Sequence, residues 1–121
     1  MAPRVQYATT SDGVKIAYTI DGQGQAVVYL QPYSNQQLDW RHPEMVDWYL
    51  SLARDYSLIR YDGRNFGLSQ RNAGELSGET MMLDLEAIVE RAAPERFALV
   101  GVSGLGLTAI RFAARHPERS V

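Results

Sequence analysis

The sequence predicts an α/β fold of three layers, with helices on both faces of a mostly parallel sheet and an antiparallel hairpin at one end. Three observations carry this. Short apolar runs that read as strands alternate with amphipathic helical stretches, in the order β-β-β-α-β-α-β-α. The runs ending at Leu30 and Gly101 are continuously apolar, as expected of strands covered on both faces. The first two runs instead alternate apolar and polar residues around Ser11-Asp12-Gly13, which is the pattern of a hairpin.

Each element has its own signal. Val5–Thr10 and Val14–Ile20 are the hairpin strands, and the Gly-rich loop Asp21–Gln25 leads into the strand Gln25–Leu30. A polar loop, Gln31–His42, follows. Pro43 suits the first position of a helix, where its missing N–H is not needed. Met45, Trp48, Tyr49 and Leu52 then fall on one helical face. Ser57–Tyr61 reads as a strand, Asp62–Gly78 as a long loop, and Met81, Leu85, Ile88 and Ala92 as the face of a second helix ended by Pro94. Phe97–Gly101 is the last strand. A third helix from about Gly104 to His116 carries Leu107, Ile110 and Ala114 on one face, and Pro117 stops it. Parallel strands joined by helices imply right-handed crossovers. Loops as long as the two noted here are often functional in α/β domains.

The chain of 121 residues makes a single domain, 1–121, or part of one. At this size a domain buries roughly 65% of its unfolded surface, enough for a core. A hydrophobic share of 45% and a charged share of 21% exclude a disordered tail or a coiled coil. A net charge of −2 without a basic stripe gives no reason to expect a nucleic-acid partner. No cysteine is present, which excludes disulfides, thiolate metal sites and a cysteine nucleophile. The N-terminal residues lack a signal-peptide core, and the longest apolar run, Ala26–Leu30, is far too short to span a membrane. A cytoplasmic protein is the default expectation. No cluster of His, Asp and Glu has metal-ligand spacing, so neither a metal nor a cofactor is expected.

The sharpest chemical signal is Leu99-Val100-Gly101-Val102-Ser103-Gly104-Leu105-Gly106, a buried strand running into a Gly-rich turn and then a helix. A serine on that turn sits at the carboxyl end of the strand. The helix N-terminus points free N–H groups and its positive dipole end at the same place. This context suits a nucleophilic serine whose attack generates an oxyanion, as in the G-x-S-x-G elbow. Leu105 stands where that motif has its second small residue, with Gly106 one place later. A branched side chain there is expected to crowd the elbow.

The chain resembles the N-terminal half of the α/β-hydrolase superfamily over nearly its whole length. Asp62-Gly63-Arg64-Asn65-Phe66-Gly67-Leu68-Ser69 is similar to that family's D-x-R-G-x-G-x-S loop, with Asn65 where glycine is usual. Val100-Gly101-Val102-Ser103 is similar to its strand and elbow, and Phe112–Arg119 to the end of the helix after the elbow. The branch found alone or fused to adenylate-cyclase and transcription-regulator modules is the most similar in flavour, and Leu38-Asp39-Trp40 fits its loop after the third strand. The resemblance implies a strand order of 1-2-4-3-5 and acyl transfer to water from a small-molecule ester or related substrate. It makes Ser103 the nucleophile. Gly104 becomes one oxyanion donor, and Tyr33 the second, because Pro32 has no N–H.

That family orders its triad as Ser, then acid, then His. After Ser103 stand only Glu118 and His116, and His116 is roughly 20 Å along the helix at 1.5 Å per residue. His42 precedes the serine, against the family order. The chain is therefore expected to be a front half whose triad acid and base lie elsewhere. The strand Phe97–Gly101 would then present an apolar edge that invites self-association or a partner chain completing the sheet.

Two other readings stand beside this one. The same fold can serve as a non-catalytic binding or regulatory module, with Ser103 a structural turn residue. Gly101–Ile110 also resembles the cofactor loop of medium-chain alcohol dehydrogenases, which implies a dinucleotide-binding domain. Of the remaining conspicuous residues, Asp62 and Arg64 read as a structural pair bracing their loop. Trp40, Trp48 and Tyr49 read as core or lid-contact aromatics, and His116 as a helix-end residue.

Overall fold

A computed structural model describes residues 4–31 and 41–120. Among the described residues, five strands and three helices follow the expected order: β1 (Gln6–Thr9), β2 (Lys15–Asp21), β3 (Gln25–Leu30), α1 (Pro43–Asp55), β4 (Tyr56–Tyr61), α2 (Gly78–Ala92), β5 (Ala98–Gly101) and α3 (Leu105–Arg115). The sheet order is β1-β2-β4-β3-β5. Strands β3, β4 and β5 run parallel to one another, while β2 is antiparallel to both β1 and β4.

Alternation along the strands sorts side chains into two layers. Val28, Leu30, Ile59 and Tyr61 point to the face covered by α2 and α3, with Leu85, Ile88 and Phe112. Val27, Tyr29 and Leu58 point to the other face and meet Tyr49 of α1. Helices therefore lie on both sides of the sheet. No helix among the described residues is long and apolar enough to cross a membrane.

Local chemistry sets the element ends. Pro43 opens α1. Ser77 caps α2 reciprocally with Thr80: its hydroxyl accepts the Thr80 N–H, and its own N–H donates to the Thr80 hydroxyl. The loop read as Asp62–Gly78 thus ends one residue early, because Gly78 already belongs to α2.

Three helix faces differ from those the spacing predicts. In α2 the buried stripe is Met82, Leu85, Ile88 and Val89, with Met81 half-buried. In α1 Tyr49 is buried, but Trp48 lies at the margin, donating its indole N–H to the Tyr29 hydroxyl at 3.2 Å. In α3 the stripe of Leu107 and Ile110 faces outward, each about two-thirds exposed (67% and 66%). The sheet is reached instead by Leu105, Ala109 and Phe112.

Candidate active site

The turn between β5 and α3 has the geometry of a nucleophile elbow. Ser103 sits at φ 55°, in the left-handed region that non-glycine residues rarely occupy. It is exposed at the carboxyl end of β5. Bonds from Leu105 N–H to the Val102 carbonyl (3.1 Å) and from Gly106 N–H to the Ser103 carbonyl (3.0 Å) close the turn tightly. Gly104 follows in right-handed helical geometry at the head of α3. Among the described residues no backbone acceptor takes its N–H.

The glycines explain how the turn closes. A Cβ on Gly101 would lie 2.8 Å from the Gly106 Cα and 3.0 Å from the Ala109 Cβ. Strand and helix thus approach closely only because position 101 has no side chain. Leu105 does not crowd the elbow: it is half-buried and packs on the core beneath α3. The expected clash at Leu105 is therefore corrected.

The elbow is joined to the start of the loop after β3. Val102 N–H donates to the Leu30 carbonyl at 2.9 Å. The next residue, Gln31, accepts the Tyr49 hydroxyl at 2.6 Å. Tyr49 is locked by the Arg60 guanidinium 3.7 Å above its ring and by an edge contact from Tyr29. This anchor was not anticipated, since nothing in the spacing links positions 31, 49 and 60. Tyr33, the expected second oxyanion donor, lies outside the described residues, as do Trp40 and the Leu38-Asp39-Trp40 stretch.

Among the described residues neither histidine is hydrogen-bonded to Ser103. His116 ends α3, stacks on Phe112 and pairs with Glu86 of α2 at 3.2 Å. His42 occupies the N-cap position of α1 without a side-chain capping bond and is exposed. Among the described residues no group of three or more His, Asp and Glu side chains is placed to hold a metal ion. At the turn, then, an exposed serine stands beside the N-terminus of α3.

The Asp62–Ser69 loop is structural, as expected, but Asp62 and Arg64 do not pair with each other. Buried Arg64 donates to Asp84 on α2 at 2.9 Å and to Asp12 in the hairpin turn at 2.8 Å. Its hydrogen bonds hold the Asp12 carboxyl well down, at about 2. Burial pushes the Asp84 carboxyl up, against the pull of Arg64. Asp62 instead accepts the Leu68 N–H at 2.9 Å, and its carboxylate fills the space a Gly67 side chain would need. Ser69 donates to the Asp62 carbonyl and accepts the Ala17 N–H, tying the loop to β2. Asn65 has φ 72°, which explains why glycine suits that position and why asparagine replaces it. Its amide also bonds to Ala73 and Gly74.

Comparison with known proteins agrees with this geometry. No protein-family model matches the sequence, and no curated protein matches it. Solved structures do. An epoxide hydrolase of Vigna radiata superposes with a TM-score of 0.79 at 20% identity, over 98% of this chain and 36% of its own. A bromoperoxidase from Bacillus anthracis gives 0.80 at 23% identity, over 97% and 42%. An N-acyl homoserine lactone degrading enzyme gives 0.78 at 27% identity, over 96% and 42%. The chain thus spans well under half the length of these proteins, and its fold is the N-terminal part of the α/β-hydrolase fold. The sheet order β1-β2-β4-β3-β5 is not that of a doubly wound dinucleotide domain, so the dehydrogenase reading finds no support in the fold.

Proposed function

We propose that this chain carries the nucleophile and part of the oxyanion hole of a serine hydrolase acting on esters or related acyl bonds. The observation that supports this best is Ser103 at φ 55°, exposed at the head of α3. A strained polar residue there has no structural benefit that glycine would not give at lower cost. Ser103 Oγ would attack the acyl carbon while its proton passes to a base. The carbonyl oxygen, now negative, would be met by the Gly104 N–H and the α3 dipole. Tyr33 remains the proposed second donor. The base and its acid partner would come from outside this chain, and the substrate would be a small molecule. No cofactor is needed for such chemistry.

Hydrolysis of p-nitrophenyl butyrate by the protein encoded by the whole gene tests this. Activity should be lost in Ser103→Ala, by a factor of about 10⁴ or more. Unchanged turnover in that variant would refute the assignment.

A second reading is favoured by one observation: among the described residues no hydrogen bond joins Ser103 to His42 or His116. In that reading the domain binds a ligand without cleaving it. Ligand-dependent stabilisation that is equal in wild type and Ser103→Ala, with no turnover in either, would decide for it.

A further inference from the structure

Among the side chains of α1 only Tyr49 is buried outright, at 1% exposure. Its ring fills the layer shared with Val27, Tyr29 and Leu58. Phenylalanine would fill that layer as well, so the hydroxyl needs its own explanation. A buried hydroxyl is costly unless it is bonded. Here it donates to Gln31 Oε1 at 2.6 Å. The ring is held in place: the Arg60 guanidinium lies 3.7 Å from its centroid, and Tyr29 meets it edge-on at 6.1 Å. Tyr29 in turn accepts the Trp48 indole N–H.

Gln31 stands where β3 meets the elbow. Its backbone nitrogen shares one peptide unit with the Leu30 carbonyl. That carbonyl accepts the Val102 N–H at 2.9 Å, and Leu30 pairs with Gly101 in the ladder. Val102 immediately precedes Ser103, and its side chain packs on the same apolar layer as Tyr49. A serine at φ 55° persists only where its surroundings over-determine it. The bonds at Leu105 and Gly106 close the turn from within, whereas the Leu30–Val102 bond holds it from the neighbouring strand. Pro32 also restricts the backbone of Gln31 before it.

We propose that Tyr49 is a positioning residue for the hydrolysis, acting through Gln31. By fixing Gln31 it fixes the Leu30–Gln31 peptide, and that peptide holds Val102 and aims the Ser103 hydroxyl. The proposal rests on the serine-hydrolase reading. Tyr49 needs no contact with substrate for this role. Its lever is geometric, since a misplacement of about 1 Å at a reacting group can cost about a hundredfold in rate.

Steady-state hydrolysis of p-nitrophenyl butyrate by the protein encoded by the whole gene tests this. Tyr49→Phe keeps the ring beneath Arg60 and removes only the hydroxyl. It should lower kcat about tenfold and leave KM within about twofold, because aim matters in the transition state and not in binding. Gln31→Met, at a half-buried position, cuts the same bond from the other side and should show the same loss. In the double variant the losses should not multiply: Tyr49→Phe should cost less than about twofold more once Gln31 is replaced. Tyr7→Phe is the control. It also removes a tyrosine hydroxyl bond, to the Leu68 carbonyl at 3.1 Å, but from β1 at the opposite edge of the sheet, and both constants should stay unchanged.

An active wild type with unchanged kcat in Tyr49→Phe overturns the proposal, as does a loss confined to KM. Losses that multiply in the double variant overturn it too, because Tyr49 then acts by another route. Each of these leaves the hydrolase reading standing. Turnover that is absent from wild type, or that survives Ser103→Ala, sinks the hydrolase reading and this proposal with it.

Discussion

At Ser103 the backbone and the side chain make opposite demands. The left-handed conformation favours glycine, whereas the proposed chemistry needs a hydroxyl. Ser103→Gly should therefore stabilise the protein by about 1 kcal/mol, and Ser103→Ala should not. Urea midpoints at equal slopes measure both. Equal stability for the two variants would mean the turn is unstrained. Two residues away, Gly101→Ala should cost about 1–3 kcal/mol, because its Cβ would meet backbone that cannot yield alone. Gly106→Ala meets only ordinary contact at 3.8 Å and lies within α3, so it should be neutral or mildly stabilising. A larger loss at position 106 than at 101 would contradict this account of the elbow. The sequence showed the strand, the turn and the serine. It did not show that Leu105 could turn into the core, since the side-chain direction at the start of a helix depends on what packs beneath it.

Among the elements, Arg64 does the joining, linking the hairpin turn, the loop after β4 and α2 through Asp12 and Asp84. Its partners lie 52 and 20 positions away, which is why sequence reasoning placed Arg64 with nearby Asp62 instead. Asp12 has a depressed carboxyl, so its contribution is complete above the unfolded value of about 3.9 and fades as pH falls toward about 2. Asp12→Asn should then be less stable than wild type near neutrality, with the gap closing between about pH 4 and pH 2. Thermal melts across that range measure it, and a gap that stays constant down to pH 2 would contradict the pairing. The helices teach a related lesson. Spacing correctly placed Leu107, Ile110 and Ala114 on one face of α3, but spacing reports which residues share a face, not whether anything covers it.

For the whole molecule, the hairpin and the helices on both sheet faces were legible because each rests on local patterning, whereas the strand order followed only from the family resemblance. The uncovered surface was legible only as an edge; its extension over α3 emerged with the structure. The 121-residue chain should bind a hydrophobic dye through that surface, and Leu107→Glu with Ile110→Glu should remove most of the binding. Stability of the 121-residue chain should change by no more than about 0.5 kcal/mol, as for other exposed sites. Undiminished dye binding would place the apolar surface elsewhere.

The central claim is that Ser103 is a nucleophile, and covalent capture tests it most directly. The protein encoded by the whole gene is treated with a fluorophosphonate and the modified peptide mapped by mass spectrometry. The account predicts one adduct, on the peptide containing Ser103, absent from Ser103→Ala. A folded protein that takes no label, or an adduct that persists in Ser103→Ala, would contradict it.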